Sequence, residues 1–171
     1  MKEQSFYEKV TFSEQDFSNQ NLSGQVFCEC LFVRCNLSNV KVKESRFQKV
    51  TFIGCQLMGV LFSECNPFLL DMSFQDCQII SCVFSDQKLS GICFRNCHIH
   101  ECDFMNTDLT EASFEGCDLE HTIFENANLT MTSFVGADHY FFDPNKNKLK
   151  KTKLSLPGAL SLLYSFDIIL E

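Results

Sequence analysis

The sequence predicts an all-β solenoid, and three observations carry that expectation. A large apolar residue returns at every fifth position, as in "FEGCDLEHTIFENANL" with Phe114, Leu119, Phe124 and Leu129; this period fits neither a helix, at three to four residues, nor a strand, at two. Two positions before each such centre the residue is mostly small, and side chains two apart on extended backbone face the same way. Aromatic usage is lopsided, with nineteen Phe against three Tyr and no Trp, as one kind of apolar slot filled repeatedly would give. At 171 residues the chain has the length of one domain.

The N-terminal "MKEQSFYEKV" has no apolar run of signal-peptide length, and no stretch approaches the roughly 20 apolar residues of a membrane span. A cytoplasmic protein is expected, with its eleven Cys as reduced thiols. From Tyr7 the centres run in fives to Phe62 and resume at Leu69 to end at Phe134, making 26 pentads with one step of seven. The small slot holds Cys30, Cys35, Cys55, Cys77, Cys82, Cys97, Cys102, Ala112, Cys117, Ala127 and Thr132. Both slots point inward and the other three residues outward. In the first coil Gln15, Gln20 and Gln25 take inward slots, where their amides are expected to blunt an open end by bonding water or the N-terminal arm.

Units such as Ala127-Asn128-Leu129-Thr130-Met131 and Cys117-Asp118-Leu119-Glu120-His121 resemble the pentapeptide-repeat family, and the resemblance covers residues 5–137. It implies a right-handed quadrilateral β-helix in which four pentads make one square coil. Residues twenty apart should then stack, or twenty-two apart across the longer step. The resulting column Phe12, Phe32, Phe52, Phe74, Phe94, Phe114, Phe134 is Phe throughout, so the extra residues near 65–69, at Cys65-Asn66-Pro67-Phe68, are expected to bulge from a corner. Coils stacked at about 4.8 Å predict a filled rod roughly 30 Å long.

The repeat domain is therefore placed at 1–137 and a C-terminal segment at 138–171. That segment reads as a turn at Asp143-Pro144-Asn145, an exposed Lys-rich connection, a short helix entered at Pro157 with the apolar stripe Ala159, Leu160, Leu163 and Phe166, and a terminal strand "DIILE". It resembles the dimerisation segments of the quinolone-resistance and microcin-immunity members. A homodimer through Leu160, Leu163, Phe166, Ile168, Ile169 and Leu170 is expected, with a monomeric cap as the alternative.

No nucleophile elbow, phosphate-binding Gly-rich loop or HExxH occurs, and a convex rod offers no concave pocket; a non-enzymatic protein without cofactors is expected. The column Cys35, Cys55, Cys77, Cys97, Cys117 invites a metal or redox reading, yet each thiol fills the slot that Ala and Thr take elsewhere, which is the place of an inert packing residue. On one outer face "HIHE" (residues 98–101) stacks on "DLEH" (residues 118–121), placing His98 beside Asp118, His100 beside Glu120 and Glu101 beside His121. This patch could share a zinc-like ion, but opposite-charge pairing across strands is the preferred account.

Charge is uneven. Residues 1–66 hold seven acids and seven bases, whereas residues 67–143 hold thirteen acids and only Lys88 and Arg95 as bases. The acids Asp71, Asp76, Asp86, Glu101, Asp103, Asp108, Glu111, Glu115, Asp118, Glu120 and Glu125 all take outward slots. Such a surface repels nucleic acid itself and suits a partner with a cationic groove. The resemblance implies that partner, because several pentapeptide-repeat proteins bind type II topoisomerases as DNA mimics and protect them from quinolones: DNA gyrase or topoisomerase IV is expected. A generic interaction scaffold, its acids serving solubility, is the rival.

Overall fold

Each pentad becomes one flat side of a coil because its corner residue turns the chain. In the computed structural model, which describes residues 5–166, a positive φ recurs two positions after nearly every centre, from Lys9 at 55° to Gly136 at 71°. Most of these corners are not glycine, so each costs about 1 kcal/mol of left-handed strain. The ladder offsets it: backbone N–H groups bond the coils on either side, as Phe17 N does to Asn36 O at 2.8 Å and Leu31 N to Val10 O at 2.9 Å.

Fourteen short strands, numbered in chain order, lie on three sides. One side holds β1 (Phe6–Glu8), β3 (Val26–Cys28) and β5 (Arg46–Gln48). The longest holds β2 (Thr11–Ser13), β4 (Leu31–Val33), β6 (Val50–Ile53), β8 (Met72–Gln75), β10 (Cys93–Arg95), β12 (Ser113–Glu115), β13 (Ser133–Phe134) and β14 (Lys153–Leu154). A third holds β7 (Gln56–Met58), β9 (Gln78–Ile80) and β11 (His98–His100). The fourth is joined by parallel bridges such as Val83 to Asp103 and Asp103 to Ile123. All pairings are parallel, and the coil completes about seven turns.

The register is the expected one. Phe12 pairs with Phe32, Phe32 with Phe52, Phe52 with Phe74, Phe74 with Phe94 and Phe94 with Phe114. Their rings stack at 4.8 to 5.1 Å. A second ladder, Phe62, Phe84, Phe104 and Phe124, stacks at 4.8 to 5.3 Å and meets the first edge to face. Offset and T-shaped contacts are the arrangements that ring quadrupoles favour, and they leave the interior filled. The long step is absorbed where a 3-10 turn (Phe62–Glu64) replaces the usual corner. Residues 66–70 bulge there, Asn66 Oδ1 accepting the Phe68 N–H at 3.0 Å, with the Arg46 guanidinium 5.8 Å from the Phe68 ring centre.

Three expectations need correction. The coil does not stop at residue 137: Lys148 bridges to Asn128, and β14 pairs with β13, Leu154 lying on Phe134. The Lys-rich stretch is thus a partial last turn of the solenoid. The Gln slots at the N-terminal rim are not uniformly inward; Gln15 and Gln20 are exposed and Gln25 is half-buried, and Gln20 Nε2 donates to Asp16 O at 2.8 Å within its own coil. The helical stripe is rotated: in α1 (Leu156–Ser161) and the 3-10 turn after it (Leu162–Phe166), Leu162 is the buried anchor, while Leu160 and Phe166 are half exposed. Tyr140 and Phe142 close the aromatic column over Phe134, at 5.2 and 5.3 Å. Helix α1 lies so close to Tyr140 that a Cβ at Gly158 would come within 2.5 Å of its ring. The expected terminal strand, with Ile168, Ile169 and Leu170, lies outside the described residues.

Candidate functional site

None of the eleven acids is buried, and they spread over all four sides and their corners. They divide by what they touch. Asp103 Oδ1 accepts the Met105 N–H at 2.8 Å, and Asp108 Oδ1 accepts from Thr110 N at 3.1 Å and Asn128 Nδ2 at 3.0 Å. Burial raises the Asp108 carboxyl, but the Thr110, Ser90 and Asn128 bonds outweigh it and hold the group below its ordinary value. Asp76, Asp86 and Glu101 accept from Gln75, Asn106 and Ser81, and Glu125 pairs with Lys146 at 2.9 Å. Asp71, Glu111 and Glu115 are exposed and make no side-chain hydrogen bond or ion pair among the described residues.

The imidazole patch differs from its expected pairing. His98 does lie opposite Asp118, but His100 turns diagonally to the same carboxylate, its Nε2 3.1 Å from Asp118 Oδ2, instead of facing Glu120. Glu120 pairs with His121 at 3.7 Å, on the same side, and Glu101 bonds Ser81 rather than His121. A residue the pattern did not single out completes the group: His139 Nδ1 lies 2.8 Å from Asp118 Oδ1. By the five-residue beat His139 should be an inward centre. A left-handed φ of 55° turns it outward, and Tyr140 takes the buried place.

The thiols lie where the slot rule puts them. Nine are buried, with Cys28 and Cys93 half-buried. Most of the buried ones sit near a carbonyl of the preceding coil, such as Cys35 Sγ to Phe12 O at 3.4 Å and Cys102 Sγ to Ile79 O at 3.4 Å. Thr122 and Thr132 donate to the equivalent carbonyls, Ile99 O at 2.6 Å and Leu109 O at 2.7 Å. Burial pushes the Cys35 and Cys65 thiols up, away from thiolate chemistry.

Apolar side chains also stand outside the wall. Phe68 and Leu69 of the corner bulge are exposed, next to a groove lined by Cys28, Lys49, Asp71 and Leu89; Leu69 is thus not the inward centre the beat expects, because a left-handed φ of 56° turns it out and Leu70 packs on the core instead. At the C-terminal end Leu160 and Phe166 are half exposed and Leu163 half-buried.

The sequence description "Pentapeptide repeat region" matches residues 25–97 and 79–154, most of the chain. The chain belongs to the pentapeptide-repeat family. Its fold is the right-handed quadrilateral β-helix of that family, and two solved structures of QnrB1, described as a plasmid-mediated fluoroquinolone resistance protein, are similar to it. One trypsin-treated form is 21% identical, with 98% of this chain and 90% of that chain covered and a TM-score of 0.54. A second is 18% identical, with 98% of each chain covered and a TM-score of 0.55. HetL from the cyanobacterium Nostoc, a pentapeptide-repeat protein involved in regulating heterocyst differentiation, is 14% identical over 88% of this chain and 87% of its own, with a TM-score of 0.41. No curated protein sequence matches.

Proposed function

We propose that this pentapeptide-repeat rod is a non-enzymatic binding protein that imitates DNA phosphate towards a cytoplasmic type II topoisomerase, DNA gyrase or topoisomerase IV. The observation that carries the reading is the charge asymmetry on a solid wall: thirteen acids against two bases over residues 67–143, with every one of the eleven repeat acids outside the core. A cationic groove built for a polyanion would bind such a surface in competition with DNA. The likeness to QnrB1 supports the choice of partner. In this reading two copies join through Leu160, Leu163 and Phe166, with Ile168, Ile169 and Leu170 beyond the described residues. The pair then sets its acidic halves about a two-fold axis, to suit a two-fold partner.

The test is gyrase supercoiling against increasing rod concentration, with and without a fluoroquinolone. Inhibition without drug supports mimicry, and supercoiling restored under drug supports protection. Reversal of Asp71, Glu111 and Glu115 to Lys should remove both effects without touching the fold, because those three make no structural bond; Asp103 and Asp108 are unsuitable, since their carboxylates hold turns. Phe166→Glu should yield a monomer in light scattering if the C-terminal ends pair. The spread of acids over all four sides favours a second reading, a scaffold for another partner, and an unaltered topoisomerase in both arms would select it.

A further inference from the structure

We propose that His98, His100 and Asp118 form a binding site for a borderline divalent metal ion, with His139 orienting the carboxylate. Two residues apart on β11, His98 and His100 project from the same side of one strand. Asp118 lies on the next coil, bridged to His98. One donor atom from each of the three lies within 4.8 Å of the others, with Asp118 Oδ2 3.9 Å from His98 Nδ1 and 3.1 Å from His100 Nε2. In a tetrahedral site with bonds near 2 Å, donors stand about 3.4 Å apart, so an ion requires only small side-chain adjustments.

Simple ion pairing does not account for the group. Asp118 Oδ1 is already engaged by His139 at 2.8 Å, which leaves Oδ2 for two imidazoles. The His98 and His100 ring centres stand 5.8 Å apart, so both imidazoles converge on that one oxygen. His100 Nε2 is shielded from solvent and, although it lies 3.1 Å from Asp118 Oδ2, makes no well-directed hydrogen bond to it. A shielded nitrogen without a hydrogen bond is costly, and a metal ion gives it a bond. Two imidazoles and one carboxylate are a donor set for Zn²⁺, Co²⁺, Ni²⁺ or Fe²⁺ rather than for Ca²⁺ or Mg²⁺. The exposed side of His98 leaves the remaining positions to water. The His139 bond to Oδ1 is the kind of outer contact that fixes a ligand's orientation.

Because the eleven thiols are rival ligands, the experiment is a Co²⁺ titration of untagged, reduced protein followed by visible absorption. One equivalent bound with weak d–d bands, and no near-ultraviolet thiolate charge-transfer band, is the expected result. Binding should vanish in the His98→Ala/His100→Ala variant and persist in His121→Ala, whose imidazole belongs to the neighbouring Glu120 pair. His139→Ala should weaken binding about tenfold with an unchanged spectrum; an unaltered affinity there would remove its orienting role. Because the ligands span adjacent coils, saturating Co²⁺ or Zn²⁺ should also raise the melting temperature of the wild type but not of the double variant. A thiolate spectrum, binding that survives in the double variant, or no cobalt bound by protein shown folded by circular dichroism would each overturn the site.

Discussion

Phe94 lies 4.9 Å from Phe74 below and 5.1 Å from Phe114 above, with Phe84 and Phe104 edge-on at 5.9 Å. Phe94→Ala should therefore destabilise by about 3–5 kcal/mol in chemical denaturation, the cost of a large buried cavity. Cys102→Thr should change stability by no more than about 1 kcal/mol, because the Thr122 hydroxyl already occupies the equivalent slot one coil on and bonds its carbonyl at 2.6 Å. A larger loss would mean that the thiol is special there. At the surface, the hydrogen bond to Asp118 holds His139 above the ordinary imidazole value. For Asp118, burial pushes upward, but the imidazoles of His139 and His100 prevail and keep the carboxyl low. The sign follows from linkage: the His139 contribution is complete below the ordinary value near 6.5 and fades as pH rises through the raised one, while that of Asp118 fades as pH falls through the lowered one. In metal-free protein an NMR titration should place the His139 midpoint above 6.5, and Asp118→Asn should bring it down.

At the level of the element, a side of the coil tolerates no change of length, whereas the bulged corner does. Removing Pro67 and Phe68 together restores a twenty-residue step and should leave a cooperative β fold. Removing Asn96, a regular corner with φ 51°, turns every later inward slot outward by one position, and circular dichroism should report loss of the C-terminal coils. The same register logic explains what was legible in the sequence. Two inward slots repeated along the chain determined the sides, the stacking columns and the corner bulge. The last turn was missed because the five-residue beat lapses at His139 and Pro144, although the twenty-residue column continues from Leu129 to Leu149 and from Phe134 to Leu154. Following the column instead of the beat would have found it. The pairing of His100 with Asp118 was not legible, since register puts Glu120 opposite and only the side-chain rotamers decide the diagonal. The Leu162 anchor was hidden for a related reason: the helix is six residues long, too short for a stripe to show which face is inward, and the close approach of Gly158 to Tyr140 sets it. Gly158→Ala should loosen the cap first, seen as raised protease sensitivity near the C-terminus at an almost unchanged melting temperature.

On the scale of the whole molecule, each coil touches only the coils beside it, so the rod's stability is close to a sum of nearest-neighbour terms. The N-terminal coil leaves Phe17 partly uncovered among the described residues, while Tyr140, Phe142 and Leu162 seal the other end. Hydrogen exchange should accordingly be fastest at the N-terminal rim and slowest in the central coils; uniform protection would indicate all-or-none opening. Charge also belongs to this scale, because a partner drawn by the acidic half should bind less tightly as salt rises. The ladder bonds point along the rod, coil to coil, so a force applied to the two ends meets them one coil at a time and never all together. Under tension the protein should pay out as a spool does, each twenty-residue turn releasing about 60 Å of chain at low load, with the turn at the less covered end going first.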